Sequence, residues 1–307
     1  MATLDALNAD EILAALGVSG VARVAPVPGG WDTALWQVER ADGRRFALRV
    51  FRPEQEQTWR REALAMRAAA AGGVPVPQLE REGRWQDRPA LLLSWCAGRP
   101  LLHQVLARPW RVWRAAVEFG RVQACIHAVP APAPFGHSDH SWIARAGPEE
   151  EALQERLRSL PLQSGHLLHL DYHPLNVLVA GKEITCVLDW ANACAGDPRA
   201  DLARTVTLLR LPPVPPEMPS LLAKAVTAGR RLLEAGWRHG YRREAARRGS
   251  LSAIAPAQAL FYAWAGAFMV RDLAPKLGSR GVWLQAHDLE RMRRWTARWK
   301  RRAGLPA

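Results

Sequence analysis

Between residues 169 and 202 the chain gathers two carboxylates and a carboxamide around one short turn. The run is His169-Leu170-Asp171-Tyr172-His173-Pro174-Leu175-Asn176, then an apolar stretch, a Gly181-Lys182 turn, a second apolar stretch to Leu188, and Asp189-Trp190. If 177–179 and 184–188 pair as antiparallel strands about Lys182, Asn176 and Asp189 meet at the open end of the hairpin, within a residue or two of register. Asp171 precedes Asn176 by five residues, so the intervening loop can bring its carboxylate near the same point. Oxygen donors converging there suit Mg²⁺, which takes carboxylate, carboxamide and phosphate oxygens. Phosphoryl transfer needs such a metal to neutralise the phosphates, and a carboxylate to orient the attacking hydroxyl and accept its proton. The bland alternative makes Asp171 a turn former and Asp189 a helix cap. The H-x-D-x4-N spacing is weak alone; the hairpin, the second aspartate and a sheet-like segment upstream give it weight.

The elements that must hold these residues change character along the chain. Strand patterns at 21–27, 34–39, 45–51, 78–81 and 90–95, with a helical pattern at 54–71 that carries Glu62, make a small lobe of five strands and one helix. Ala97-Gly98-Arg99-Pro100 breaks the pattern as a hinge would. Beyond it, 110–129 reads as an amphipathic helix, 130–148 as a Pro/Gly/His loop and 149–160 as a helix with an acidic start, as the helix dipole favours. Helices continue after the hairpin, interrupted by Pro212-Pro213-Val214-Pro215-Pro216. The expected architecture is α+β in two lobes: an N-terminal sheet lobe over 1–96 and a mostly helical lobe over 97–307, hinged at about 94–99.

With 307 residues, 49% of them apolar and 23% charged, the composition is that of a soluble globular protein. Cys96, Cys125, Cys186 and Cys194 show no CxxC spacing, which predicts reduced thiols and neither a disulfide framework nor a zinc site. Asp5, Asp10 and Glu11 leave no apolar signal-like run at the start, and the expectation is a cytoplasmic protein. Residues 251–270 lack charge over a length that nominally spans a bilayer. They are rich in alanine and carry Pro256 and Gln258, so a buried helix is expected and no membrane span. The net charge of +13 is lopsided: residues 202–307 hold 20 basic against 6 acidic side chains, and residues 1–201 hold 22 against 23. The basic stretch from Arg291 to Arg302 carries Trp295 and Trp299 four residues apart. Docking of that stripe on the helical lobe is favoured over nucleic-acid binding. His137, Asp139 and His140 read as an exposed polar loop rather than a metal site, and His127 as a packed or capping histidine. His173 either touches a phosphate or braces the loop.

The motifs resemble the aminoglycoside phosphotransferase/choline kinase-like family, which has the protein-kinase-like fold. His169-Leu170-Asp171-Tyr172-His173-Pro174-Leu175-Asn176 is similar to its catalytic-loop signature, Leu188-Asp189-Trp190 to its metal-binding segment, and Gly196-Asp197-Pro198 with Asp201-Leu202-Ala203 to the segment that follows. The resemblance covers roughly residues 20–205. It implies Asp171 as catalytic base, Asn176 and Asp189 as Mg²⁺ ligands, and His169 as a structural residue of the loop. Gly29 and Gly30 lie where the family covers the nucleotide phosphates. Arg49 stands where it places a phosphate-binding lysine, and the chain has no lysine before Lys182. Arginine clamps phosphate oxygens in a bidentate fork but is not interchangeable with a point charge. Glu62 is placed to pair with Arg49. Ser94, Trp95 and Cys96 match the hinge strand whose backbone would bind adenine.

The resemblance therefore implies transfer from ATP or another NTP, with Mg²⁺, to a hydroxyl of a small molecule. Alternatives are a catalytically silent nucleotide-binding or scaffold relative, motivated by Arg49, and a nucleic-acid binder using the basic C-terminal third. That basic third also argues against polycationic acceptors, which need acidic pockets.

Overall fold

The computed structural model describes residues 7–28, 33–135, 141–213, 218–249, 258–278 and 284–306. The apolar runs of the first hundred residues become one antiparallel sheet. Strands β1 (Val21–Pro26), β2 (Ala34–Arg40), β3 (Arg45–Val50), β4 (Leu79–Trp85) and β5 (Arg88–Ser94) lie in the order β1-β2-β3-β5-β4. Strand β5 sits between two neighbours and is buried on both faces, which explains its unbroken Ala90-Leu91-Leu92-Leu93 run. Ala90 and Leu92 join a cluster with Val38, Leu48 and Val50, while Leu91 and Leu93 face the cluster that contains Met66 of helix α2 (Glu56–Ala71).

A helix that the periodicity did not predict, α1 (Ala9–Ala15), closes the first of these clusters with Ile12 and Leu13. Asn8 caps it by accepting from the Asp10 amide. Two turns are too short for an amphipathic period to register, so among the described residues the sheet lobe has two α-helices rather than the one expected.

The connection to the second lobe runs through Gly98, whose φ of +125° only glycine adopts without strain and whose Cβ would strike the Val179 carbonyl. Strand β6 (Arg99–Pro100) then pairs with β8 (Val177–Ala180), which pairs with β9 (Glu183–Val187). Strand β7 (His166–Leu168) pairs with β10 (Cys194–Gly196). Around these small sheets pack α3 (Leu101–Ala107), α4 (Val112–His127), α5 (Glu151–Arg158), α6 (Pro198–Arg210), α7 (Ser220–Arg247), α8 (Gln258–Leu273) and α9 (Ala286–Arg302). The fold is two-lobed α+β, and one apolar cluster runs from α2 through α4 and α6 to α8, across the junction of the lobes.

Two expectations about the chain's remaining features meet different outcomes. Trp295 and Trp299 of α9 pack on Tyr262, with ring centroids 5.8 and 4.7 Å away, and Trp295 donates to the Tyr262 carbonyl. The tryptophan stripe is docked, as expected. The thiols differ: Cys96 and Cys186 form a disulfide, with Cα atoms 6.1 Å apart, while Cys125 and Cys194 are buried and take part in no disulfide. The 90-residue separation carries no local signature; the β6-β8-β9 sheet brings the two together. Among the described residues no helix is long and apolar enough to cross a membrane. Residues 258–270 of the uncharged stretch lie in α8, largely buried, and 251–257 fall outside the described residues, as do His137, Asp139 and His140.

Candidate active site

The β8-β9 hairpin sets the geometry. Val177 pairs with Val187, and the Leu188 amide donates to the Asn176 carbonyl at 2.8 Å. Asn176 thus stands opposite Leu188, and Asp189 is one step beyond. The Asn176 amide donates to the Asp171 carbonyl at 3.0 Å and to its carboxylate at 3.1 Å. With its nitrogen committed to Asp171, the carboxamide has its oxygen left to offer a cation.

Two residues of this site hold the left-handed backbone that side chains avoid: Leu170, just before Asp171, and Asp189, both at φ 60°. Such conformations cost roughly 1–3 kcal/mol each and persist only where the surroundings enforce them. Here the enforcement is visible. Asp201, fully buried in the first turn of α6, accepts from the His169 amide at 3.0 Å and from the Leu170 amide at 2.8 Å. His127 in turn holds Asp201, its Nε2 lying 2.9 Å from Oδ2. His169 ties the loop to the hairpin: Nδ1 accepts from the Asp171 amide, and Nε2 donates to the Leu188 carbonyl. Burial lowers the His169 pKa, in keeping with the neutral ring those two bonds require.

Burial alone would raise the Asp171 carboxyl. His173, 3.6 Å away, together with the Arg204 guanidinium, outweighs burial and holds it well below the usual carboxylate range. Asp171 is therefore ionised at neutral pH and a fifth exposed. His173 faces this carboxylate and accepts from the Leu175 amide, so it braces the loop.

From the sheet lobe, Arg49 on β3 reaches into the same region. It pairs with Glu62 of α2, receives support from Thr33 at 3.1 Å, and lies 3.4 Å from Asp189. Glu62 is 1% exposed, and burial pushes its carboxyl up to about 7, with Arg49 opposing and Asp189 adding to the rise. A raised pKa means the folded state holds the proton more tightly than the unfolded chain. Its stabilising contribution is complete below about 4.5 and is lost as pH rises through about 7. Wild type is expected to lose on the order of 3 kcal/mol relative to Glu62→Gln between pH 5 and 8, at about 1.4 kcal/mol per pKa unit. Urea unfolding of both proteins at the two pH values checks this; a constant difference would refute it.

The hinge strand needs a finer reading. The Ser94 and Trp95 amides are spent on the sheet, donating to the carbonyls of Gln78 and Arg45. Of the three hinge residues, only Cys96 has an amide without a hydrogen-bond partner among the described residues. A base bound here would meet carbonyls and that one amide. Gly29 and Gly30 lie outside the described residues. The braces Asp201, His127 and Thr33 were not assigned by residue spacing. An aspartate in the first turn of a helix was the available signal for Asp201, but its partners come from 31 residues upstream and farther.

Among the described residues no three of His, Cys, Asp and Glu cluster as a metal site. The donors here are a carboxylate that is 43% exposed and a carboxamide, both hard oxygen ligands at one hairpin end. Two such protein ligands, completed by phosphate oxygens and water, fit Mg²⁺.

A family model described as the phosphotransferase enzyme family matches residues 23–244. The chain belongs to this family. The loop from His169 to Asn176 and the β8-β9 hairpin both lie within the matched span. The fold is similar to that of several solved structures. Aminoglycoside phosphotransferase APH(4)-Ia, as a thermostable mutant in a ternary complex with AMP-PNP and hygromycin B, has a TM-score of 0.64 at 16% identity, over 97% of this chain and 99% of that one. Amicoumacin kinase hAmiN, in complex with AMP-PNP, Ca²⁺ and Ami, has a TM-score of 0.66 at 14% identity, over 96% and 94%. An aminoglycoside phosphotransferase described as putative, from Ralstonia eutropha, gives 0.63 at 16% identity over 98% and 99%. A search of curated protein sequences gives no match.

Proposed function

We propose that the protein transfers the terminal phosphoryl group of ATP, or another NTP, to a hydroxyl of a small molecule. Residues 1–96 would hold the nucleotide and residues 97–307 the acceptor. The observation that carries the reading is the ionised Asp171, bonded to Asn176 at the end of the hairpin that bears Asp189. Asp171 orients the acceptor hydroxyl and takes its proton as the bond to phosphorus forms. Asn176 and Asp189 would hold Mg²⁺, whose charge neutralises the phosphate oxygens. Arg49, steadied by Glu62 and Thr33, forks toward those oxygens in place of a lysine. The nucleotide analogue and Ca²⁺ bound by the neighbours named above support nucleotide and divalent-metal binding here. A nucleotide-consuming enzyme belongs in the cytoplasm, where the Cys96–Cys186 bond is an exception to the usual reduced state.

For the acceptor, the described residues around the catalytic loop favour a neutral or anionic alcohol. Arg204 and Lys276 pair with the carboxylate of Asp272, and Arg145 and Arg204 lie over the ring of Phe268. That is poor company for a polycation. The experiment is to follow ADP release from Mg·ATP across sugars, amino alcohols, hydroxy amino acids and antibiotics. Acceptor-dependent ADP from at least one uncharged or acidic alcohol is expected. A protein that binds Mg·ATP but releases ADP with none would favour the catalytically silent reading that Arg49 motivates. One that binds no Mg·ATP at all would overturn the kinase.

A further inference from the structure

Arg204 of α6 is 1% exposed, yet it carries a full charge into the core. Its Nε donates to the Leu170 carbonyl at 3.3 Å, and its Nη2 to Asp272 near the C-terminal end of α8, also at 3.3 Å. The guanidinium lies 4.2 Å from the centroid of Phe268, one turn earlier on α8. Its Nη1 is buried without a hydrogen-bond partner among the described residues. A buried ion with one donor unmet is a poor choice for stability alone, since an apolar side chain of similar volume would fill the space at lower desolvation cost. What an apolar side chain could not do is grip two segments at once.

The segments it grips are informative. Leu170 is the left-handed residue directly before Asp171. Asp201 holds the amide on one side of it, and Arg204 holds the carbonyl on the other. The peptide unit that Arg204 fixes is the one joining Leu170 to the proposed base. The other end of the fork, Asp272, is about a third exposed and shared with Lys276 at 3.4 Å. That end lies on α8, in the helical lobe proposed to bind the acceptor.

We infer that Arg204 is a positioning residue, clamping the Leu170–Asp171 peptide to helix α8 so that the aim of the base is fixed by the packed helical lobe. The inference rests on the kinase reading and deepens it. Arg204 touches neither of the proposed metal ligands nor Arg49, so its loss should fall on turnover and spare nucleotide affinity.

The test uses acceptor-free hydrolysis of Mg·ATP, thermal unfolding, and amide hydrogen exchange at residues 169–172. Arg204→Met is expected to lower kcat at least about tenfold with KM for Mg·ATP within about twofold, because misplacing a catalytic group by an ångström costs up to about a hundredfold. Arg204→Lys should recover part of the rate, since an ammonium can still meet the Leu170 carbonyl. Asp272→Asn, at a partly exposed position that will fold, should give a smaller fall of about threefold with KM unchanged. Glu234→Gln is the control: it disturbs another internal ion pair, with Arg210 and Arg238, and should leave kcat per folded molecule alone. Faster exchange at 169–172 in Arg204→Met completes the expected pattern. Unchanged kcat per folded molecule in both Arg204→Met and Asp272→Asn would overturn the inference, as would a joint fall of kcat and affinity. If wild type neither binds nor hydrolyses Mg·ATP, it is the kinase reading that fails. The exchange measurement then still decides the clamp, and unaltered protection in Arg204→Met would end it.

Discussion

Asp171→Ala is expected to remove phosphoryl transfer while leaving Mg·ATP binding within a few-fold of wild type. The carboxylate accepts from Asn176 at 3.1 Å and faces His173 at 3.6 Å, and it is directed at neither Arg49 nor Glu62. Its low pKa makes it a weak base in the resting enzyme. That suits a loose phosphoryl-transfer transition state, in which the hydroxyl loses its proton late and the carboxylate acts first as an aiming hydrogen-bond acceptor. Removing a general base of this kind costs on the order of 10²–10⁴ in rate. Asp171→Asn separates the two duties, because it keeps a partner for the Asn176 amide and cannot take a proton. Both variants should therefore be nearly inactive, with Asp171→Asn closer to wild type in melting temperature. Single-turnover ADP formation alongside calorimetric titration of Mg·ATP makes the measurement. Wild-type turnover in either variant would remove Asp171 from the role.

The residues proposed to carry this chemistry were legible because they are local. Asp171, Asn176 and Asp189 fall within 19 consecutive positions, and the period-two apolar pattern on either side of Gly181-Lys182 sets the register that gathers them. The two-lobed α+β class was legible for a similar reason, since strand patterns dominate before Gly98 and helical ones after it. What was hidden depends on distance along the chain. Asp201 reaches back 32 residues to the His169 amide, and Arg204 reaches 68 forward to Asp272; neither separation has a period. Cys96 and Cys186 meet only because three short strands assemble between them. The hinge shows a further limit. The family resemblance proposes Ser94 and Trp95 as neighbours of a nucleotide, yet which of their backbone groups the sheet has already used is set by β3 and the residue before β4.

Asp189→Ala is expected to abolish the part of nucleotide affinity that depends on magnesium, a loss of at least about a hundredfold, as befits removal of one of two charged or polar oxygen ligands from a hard-cation site. Three features of Asp189 lead there. Its carboxylate is the more exposed of the site's two, at 43% against 20% for Asp171, so it is open to a ligand from the cleft. It lies 3.4 Å from Arg49, which brings the cation proposed to face the phosphates and the proposed metal ligand to one point. Its backbone is left-handed, a conformation aspartate and asparagine tolerate better than alanine does. The last feature means alanine alone would confuse a lost ligand with a strained backbone. Asp189→Asn keeps the tolerance and an oxygen donor while discarding the charge, so it should fall between alanine and wild type in Mg·ATP affinity and match wild type in stability. Titrating ATP into each protein with magnesium and with a chelator separates the contributions. If wild type binds ATP equally well under both conditions, or if Asp189→Asn and Asp189→Ala both retain the magnesium-dependent gain, the hairpin end holds no metal, and the positions of Asn176 and Asp189 need another explanation.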